Sequence, residues 1–104
     1  AMVLAEASGI ALESAFEVIE ASAAAAPMLS YRKPLYLDET AHEVTFTVAL
    51  ALKDMAVTSA LADRLGVAMP QSTITRDKLA QAADRGYAPR DMAAIIQFMR
   101  EEKT

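Results

Sequence analysis

Apolar residues recur at helical spacing through most of this chain. Alternation runs long enough to suggest a strand only in Val44-Thr-Phe-Thr-Val, whose threonines suit a helix opening equally well. The pattern predicts helices over residues 1–8, 12–24, 45–65, 70–85 and 89–102. In the second, Leu12, Ala15, Phe16 and Ile19 share a stripe; in the fourth, Ile74, Lys78, Leu79 and Ala82 stand at helical spacing. In the last, Met92, Ile95, Ile96 and Met99 are expected to point inward. Residues 26–41 show no period and contain Pro27 and Pro34, so they are expected to form a connecting segment.

The punctuation agrees with this division. Gly9, Gly66 and Gly86 each close a periodic stretch and precede an apolar residue, Ile10, Val67 or Tyr87, the pattern of a helix stopped by a left-handed glycine. Pro70 and Pro89 stand where new helices would open. The expected fold is all-α, a compact bundle of about five helices. The first helix has no capping residue before it and is too short to stand alone in water. Ala1 is therefore expected to lie inside a longer helix of a larger protein, with an extraneous Ala1-Met2 as the alternative.

The long third helix carries the one hint of chemistry. Between Glu43 and Asp63 the charged side chains are Lys53 and Asp54, side by side in an otherwise uncharged run. An unpaired buried ammonium is too costly to keep, so Lys53 must reach water, meet an anionic partner or serve a ligand. Phe46, Ala49, Lys53, Ala56 and Ala60 fall on one helical stripe, whose small residues leave a shallow groove beside the lysine stem. Val48, Leu52, Met55, Ser59 and Ala62 fall on another face and read as core. Asp54 lies about 100° around the helix from Lys53, so the two do not make a favourable helical pair and their partners are expected elsewhere.

Composition narrows the classes. At 104 residues, 54% hydrophobic and 23% charged, the chain is globular and at most one domain. A net charge of −4 argues against nucleic acid as a partner. With no cysteine and one histidine there is no thiolate site and no histidine cluster for a metal; a reducing cytoplasm fits. Residues 44–62 approach membrane-spanning length, but the central Lys53-Asp54 pair argues against insertion.

The order of features resembles the C-terminal helical domain of the β-hydroxyacid dehydrogenases, the family of 3-hydroxyisobutyrate dehydrogenase and tartronate semialdehyde reductase. The residues that carry it are Ala1-Met2-Val3-Leu4-Ala5-Glu6 with Gly9-Ile10, then Val18-Ile19-Glu20-Ala21-Ser22. Phe46 with Lys53-Asp54-Met55 follows, then Ala62 and Leu65-Gly66-Val67-Ala68-Met69-Pro70, and last Gly86-Tyr87-Ala88-Pro89-Arg90-Asp91-Met92-Ala93-Ala94. The resemblance implies a bundle like the C-terminal domain of 6-phosphogluconate dehydrogenase. It implies an N-terminal Rossmann domain that binds NAD or NADP, over which the helical domain closes, with a small hydroxy acid as substrate and a homo-oligomeric, cytoplasmic enzyme. By the same resemblance Lys53 reaches the bound dinucleotide, Phe46 lines the pocket or belongs to the core, and Asp54 orients the helix rather than reacting.

The departures are as informative. The family's catalytic lysine lies in a Lys-x-x-x-Asn helix, and this chain has no Asn. Nor does it have a Gly-x-Gly-x-x-Gly turn to cradle a pyrophosphate. No residue here is expected to be catalytic, and by itself the chain is expected to hold no cofactor and catalyse nothing. Two alternatives stay open: a non-enzymatic helical dimerisation module burying Phe46, Ala49, Ala56 and Ala60, and a reductase of the same architecture acting on imines or sugar acids. Arg32-Lys33, beside Tyr31 and Tyr36, is expected in a solvated loop with some capacity for a phosphate or carboxylate. His42 is expected to be a surface or capping residue, and Met28, Met55, Met69, Met92 and Met99 to fill core gaps. Asp91 suits the positive end of the last helix, and residues 100–103 are expected to be a charged helix end or a frayed tail.

Overall fold

The computed structural model describes residues 1–102. Its α-helices are α1 (Met2–Ala7), α2 (Leu12–Glu20), α3 (Pro27–Leu37), α4 (Val48–Leu65), α5 (Pro70–Ala82) and α6 (Ile95–Glu101). Short helical turns occupy Glu39–Ala41, Ala83–Tyr87 and Met92–Ala94. Among the described residues no strand forms, and the lead-in 44–47 contributes one antiparallel bridge, Thr47 with Asp91. The fold is all-α, as the hydrophobic pattern predicts. No described helix is long and apolar enough to cross a membrane.

The chain divides into two compact units, Ala1–Glu43 with Ile96–Thr104, and Val44–Ile95. In the first, α1 packs on α2 and α2 on α3. Phe16, from the predicted stripe of α2, is buried, and its ring lies 5.9 Å from that of Tyr36 on α3. Over the Phe16 ring, 5.7 Å from its centroid, the Lys33 ammonium donates to Glu20 Oε2 at 2.8 Å, and Ser30 Oγ donates to Glu20 Oε1 at 3.2 Å. At the other end of this unit, Arg100 on α6 donates to both carboxylate oxygens of Glu6 on α1, at 2.7 and 2.8 Å.

In the second unit α4 packs on α5 and on the turns 83–87 and 92–94. Val48, Ala51, Ser59 and Ala62 of α4, Leu79 and Ala82 of α5, and Tyr87, Ala93 and Ala94 are buried. The helix ends at Gly66, with φ of 68°. Gly66 N–H donates to Asp63 O at 3.2 Å and Val67 N–H to Ala62 O at 2.9 Å, the paired bonds of a Schellman stop. A side chain with a Cβ would strain that left-handed turn, so the stop requires glycine.

Several expectations need correction. Residues 26–41 are mostly helix. Pro27 sits in the first turn, where its missing N–H is no loss, and Pro34 is carried inside α3. Burial of Leu35 helps to offset the broken ladder. The second helix stops at Glu20 because Ser22 Oγ donates to Ile19 O at 2.7 Å and accepts from Ala24 N–H, trading the ladder for a turn. The last helical stretch opens at Met92 and not at Pro89, since Asp91 takes the capping position. Ile74 and Met99 are exposed, as are Met28 and Met69; Met55 and Met92 are half-buried, so methionines do not serve as general core filler. Of the charged end at 100–103, Lys103 lies outside the described residues.

Candidate functional site

The site is built on α4, whose first turn is anchored completely. An α-helix leaves its first N–H groups without intrahelical partners. Here Val48 N–H donates to Arg90 O at 2.9 Å, Ala49 N–H to Ala88 O at 3.0 Å, and Leu50 N–H to the hydroxyl of the N-cap Thr47 at 3.1 Å. The positive end of α4 is therefore consumed by the chain itself and is not offered to an external phosphate.

Lys53 stands five residues beyond Val48, about 7.5 Å along the axis at 1.5 Å per residue. Its side chain is 62% exposed. It pairs with Asp54 Oδ1 at 2.5 Å, the Asp54 side chain itself being 54% exposed. This corrects the expectation that the two find partners elsewhere: adjacent side chains on an open surface bend toward each other despite the 100° between their stems. Such a pair contributes about 0–1 kcal/mol and can be exchanged for another anion. One turn further along, Val57, Ala60, Leu61 and Arg64 line a shallow groove of about 330 Å³. Ala49, Ala56 and Ala60 are exposed as well, so the small-residue stripe does face outward.

Phe46 does not share that helical stripe. It precedes the N-cap, half-buried, in the extended lead-in, where its N–H donates to Asp91 Oδ2 at 3.3 Å and its carbonyl accepts from Met92 N–H at 2.7 Å. The structure thus brings Phe46 to Asp91 rather than into line with Lys53 along α4.

Asp91 is the residue whose importance sequence reasoning understated. It is completely buried. Its Oδ1 accepts from Ala93 N–H at 2.9 Å, capping the turn 92–94. Its Oδ2 accepts from Thr45 N–H at 3.0 Å, Phe46 N–H at 3.3 Å and Thr45 Oγ1 at 3.4 Å. Reading Asp91 against the helix dipole found the first role. The second depends on 45 residues of separation that no local pattern carries.

The remaining candidates are otherwise engaged. Arg32 is buried with its guanidinium 5.4 Å from the Tyr36 ring, and Lys33 is held by Glu20, so neither lies in a solvated loop. The Lys33 hydrogen bond holds the Glu20 carboxyl below its ordinary pKa, and the Glu20 hydrogen bond in turn raises that of Lys33. His42 is exposed and follows the turn Glu39–Ala41, its backbone N–H donating to Glu39 O, while Thr47 caps α4. Among the described residues no cluster of His, Asp and Glu could hold a metal ion.

An all-α chain whose long helix presents an exposed lysine beside a shallow groove does not by itself define a function; its relatives define the class. Residues 1–99 match a family described as NAD-binding of NADP-dependent 3-hydroxyisobutyrate dehydrogenase, and the chain belongs to that family. It is 24% identical over 99 residues to glyoxylate/succinic semialdehyde reductase 1 of Arabidopsis thaliana, with 95% of this chain and 34% of that protein covered. A 3-hydroxyisobutyrate dehydrogenase from Salmonella typhimurium has the same fold over 93% of this chain and 34% of its own, at TM-score 0.83 and 24% identity. The Mycobacterium tuberculosis 3-hydroxyisobutyrate dehydrogenase, solved with L-serine, aligns at TM-score 0.79 and 25% identity over 95% of this chain and 36% of its own. The chain thus spans about a third of the length of these relatives.

Proposed function

We propose that residues 1–104 are the C-terminal helical domain of an NAD(P)-dependent 3-hydroxyacid oxidoreductase, working with a Rossmann domain and the start of an interdomain helix supplied by the rest of the protein. In the intact enzyme Lys53 meets the bound NAD or NADP, and Phe46 stands near the pocket wall. One observation carries the reading: an exposed ammonium, held by no more than a surface pair with Asp54, stands on the anchored helix beside a groove.

The residues fit an anionic cofactor. A compact ammonium on a flexible stem suits a phosphate-bearing group, and exchanging the exposed Asp54 carboxylate for it sacrifices little. When bound, the nicotinamide would supply or accept the hydride exchanged with the carbon bearing the substrate hydroxyl. This chain contributes binding and orientation: α4 places Lys53, and the first turn of α4, already satisfied internally, holds that placement. The acid or base for the hydroxyl proton lies outside this chain, which has no asparagine for the family's Lys-x-x-x-Asn pattern.

The exposed apolar residues Leu50, Val57, Leu61 and Leu65 on α4 support the view that this helix is covered in the intact, homo-oligomeric protein. They equally favour a second reading, a helical dimerisation module without an enzymatic parent.

Replacing Lys53 with Ala in the intact protein separates the two. The enzyme reading expects NAD(P)H to bind roughly tenfold more weakly by fluorescence titration, the size of one lost charge-assisted contact. Unchanged titration and unchanged turnover would remove Lys53 from the cofactor site. Turnover with small 3-hydroxy acids, imines or sugar acids then decides the substrate class.

A further inference from the structure

The buried Asp91 carboxylate stands at the junction of two segments far apart in sequence. Cap of the turn 92–94 through Oδ1, it reaches through Oδ2 to the main chain of Thr45 and Phe46, immediately before the N-cap of α4. Main-chain bonds reinforce the same seam: Met92 N–H to Phe46 O at 2.7 Å, Val48 N–H to Arg90 O and Ala49 N–H to Ala88 O. A carboxylate is otherwise an expensive group to bury, and it is stable here because N–H and O–H donors converge on it.

We propose that Asp91 is a positioning residue for Lys53: by clamping residues 45–46 to the turn 92–94, its carboxylate fixes the axial position and rotation of α4 and so the direction in which the Lys53 ammonium points. This rests on the cofactor role assigned to Lys53 above. A helix turns 100° per residue, so a small slip at the first turn moves a side chain five residues later across the surface. A displacement of about 1 Å at a binding group is enough to cost a large factor in function. Hydrogen bonds from uncharged side chains would hold the lead-in less firmly, since those to a charged acceptor are about twice as strong.

Asp91→Asn tests the proposal in the intact enzyme. Asparagine keeps one carbonyl oxygen to cap Ala93 but presents an amide N–H₂ to the N–H groups of Thr45 and Phe46, donor against donor. NAD(P)H affinity is expected to fall roughly tenfold, while the double variant Lys53→Ala/Asp91→Asn binds no more weakly than Lys53→Ala alone. That non-additivity is the mark of one residue acting through the other, and a general loss of stability would not produce it. If Asp91→Asn does not fold, Asp91→Ser, whose hydroxyl can still cap Ala93 but is too short to span to residues 45–46 as well, carries the same cycle. Additive effects, or a lowered Tm with NAD(P)H affinity intact, overturn the positioning role while leaving Lys53 in place. No effect from Lys53→Ala alone overturns both.

Discussion

Ser59 on α4 is 7% exposed, and its hydroxyl has no hydrogen-bond partner among the described residues. A buried, unsatisfied hydroxyl forfeits hydration that nothing replaces, a penalty of about 1–3 kcal/mol. Alanine removes that group and also favours the helix by a few tenths of a kcal/mol. Ser59→Ala is therefore expected to stabilise the protein by about 0.5–1.5 kcal/mol, after allowing for the small void left by one oxygen. Urea unfolding measures it, and a loss of stability would show that the hydroxyl is satisfied in solution, by water or by Met55 O four residues back. Burial of Ser59 was legible from the spacing of Val48, Ser59 and Ala62; its lack of a partner was not. The same limit applies to Lys53. Its isolation among apolar residues can be read directly, whereas its pairing with the adjacent Asp54 depends on side-chain torsions that helical spacing ignores.

At the scale of elements, the glycine stop of α4 and the proline start of α5 could be read because each boundary is local chemistry. Gly66 with Val67, and Pro70 opening α5, behave as their side chains require. Helix α3 could not be read this way. An interior proline removes a ladder bond and costs about 3 kcal/mol in isolation, so local reasoning favours a loop over residues 26–41. The helix persists through contacts between elements: Leu35 buried, Tyr36 against Phe16, and the ion pair of Lys33 with Glu20 on α2. That pair makes α2–α3 packing pH-dependent. Glu20 has a folded pKa below its ordinary value, so its contribution is fully present above the ordinary carboxylate range and fades as pH falls through the depressed folded value. Lys33 has a raised pKa, so its contribution is present below the ordinary lysine value and is lost as pH climbs through the raised one. In Lys33→Met the Glu20 carboxyl is expected to titrate higher than in the parent, and the stability difference between the two proteins to vanish in acid. NMR titration of the Glu20 side chain follows the first; a midpoint that does not move would mean the pair is not formed in solution.

For the whole molecule the informative fact is connectivity. Residues 44–95 form one unit that interrupts another, so the first unit is assembled from both ends of the described chain. The bond between Arg100 and Glu6 spans 94 residues and is made twice, Nε to Oε2 and Nη2 to Oε1, the forked geometry that suits guanidinium and carboxylate. The hydrogen bond to Glu6 raises the pKa of an arginine that is charged in any case, so the pair responds to salt rather than to loss of the Arg100 proton. With side chains 35% and 31% exposed, solvent screens much of the attraction. The good geometry places the coupling near the upper end for such pairs, about 1 kcal/mol at low ionic strength. In a double-mutant cycle of Arg100→Gln and Glu6→Gln, that coupling is expected to shrink by half or more near 1 M salt, where the Debye length is about 3 Å. Because each partner alone contributes to a unit made of two distant segments, the single variants should also raise amide hydrogen exchange in α1 and α6 together. Exchange that rises in α1 alone, with no coupling at low salt, would mean the two ends do not hold each other and that α6 is retained by its buried Ile96 and Phe98 instead.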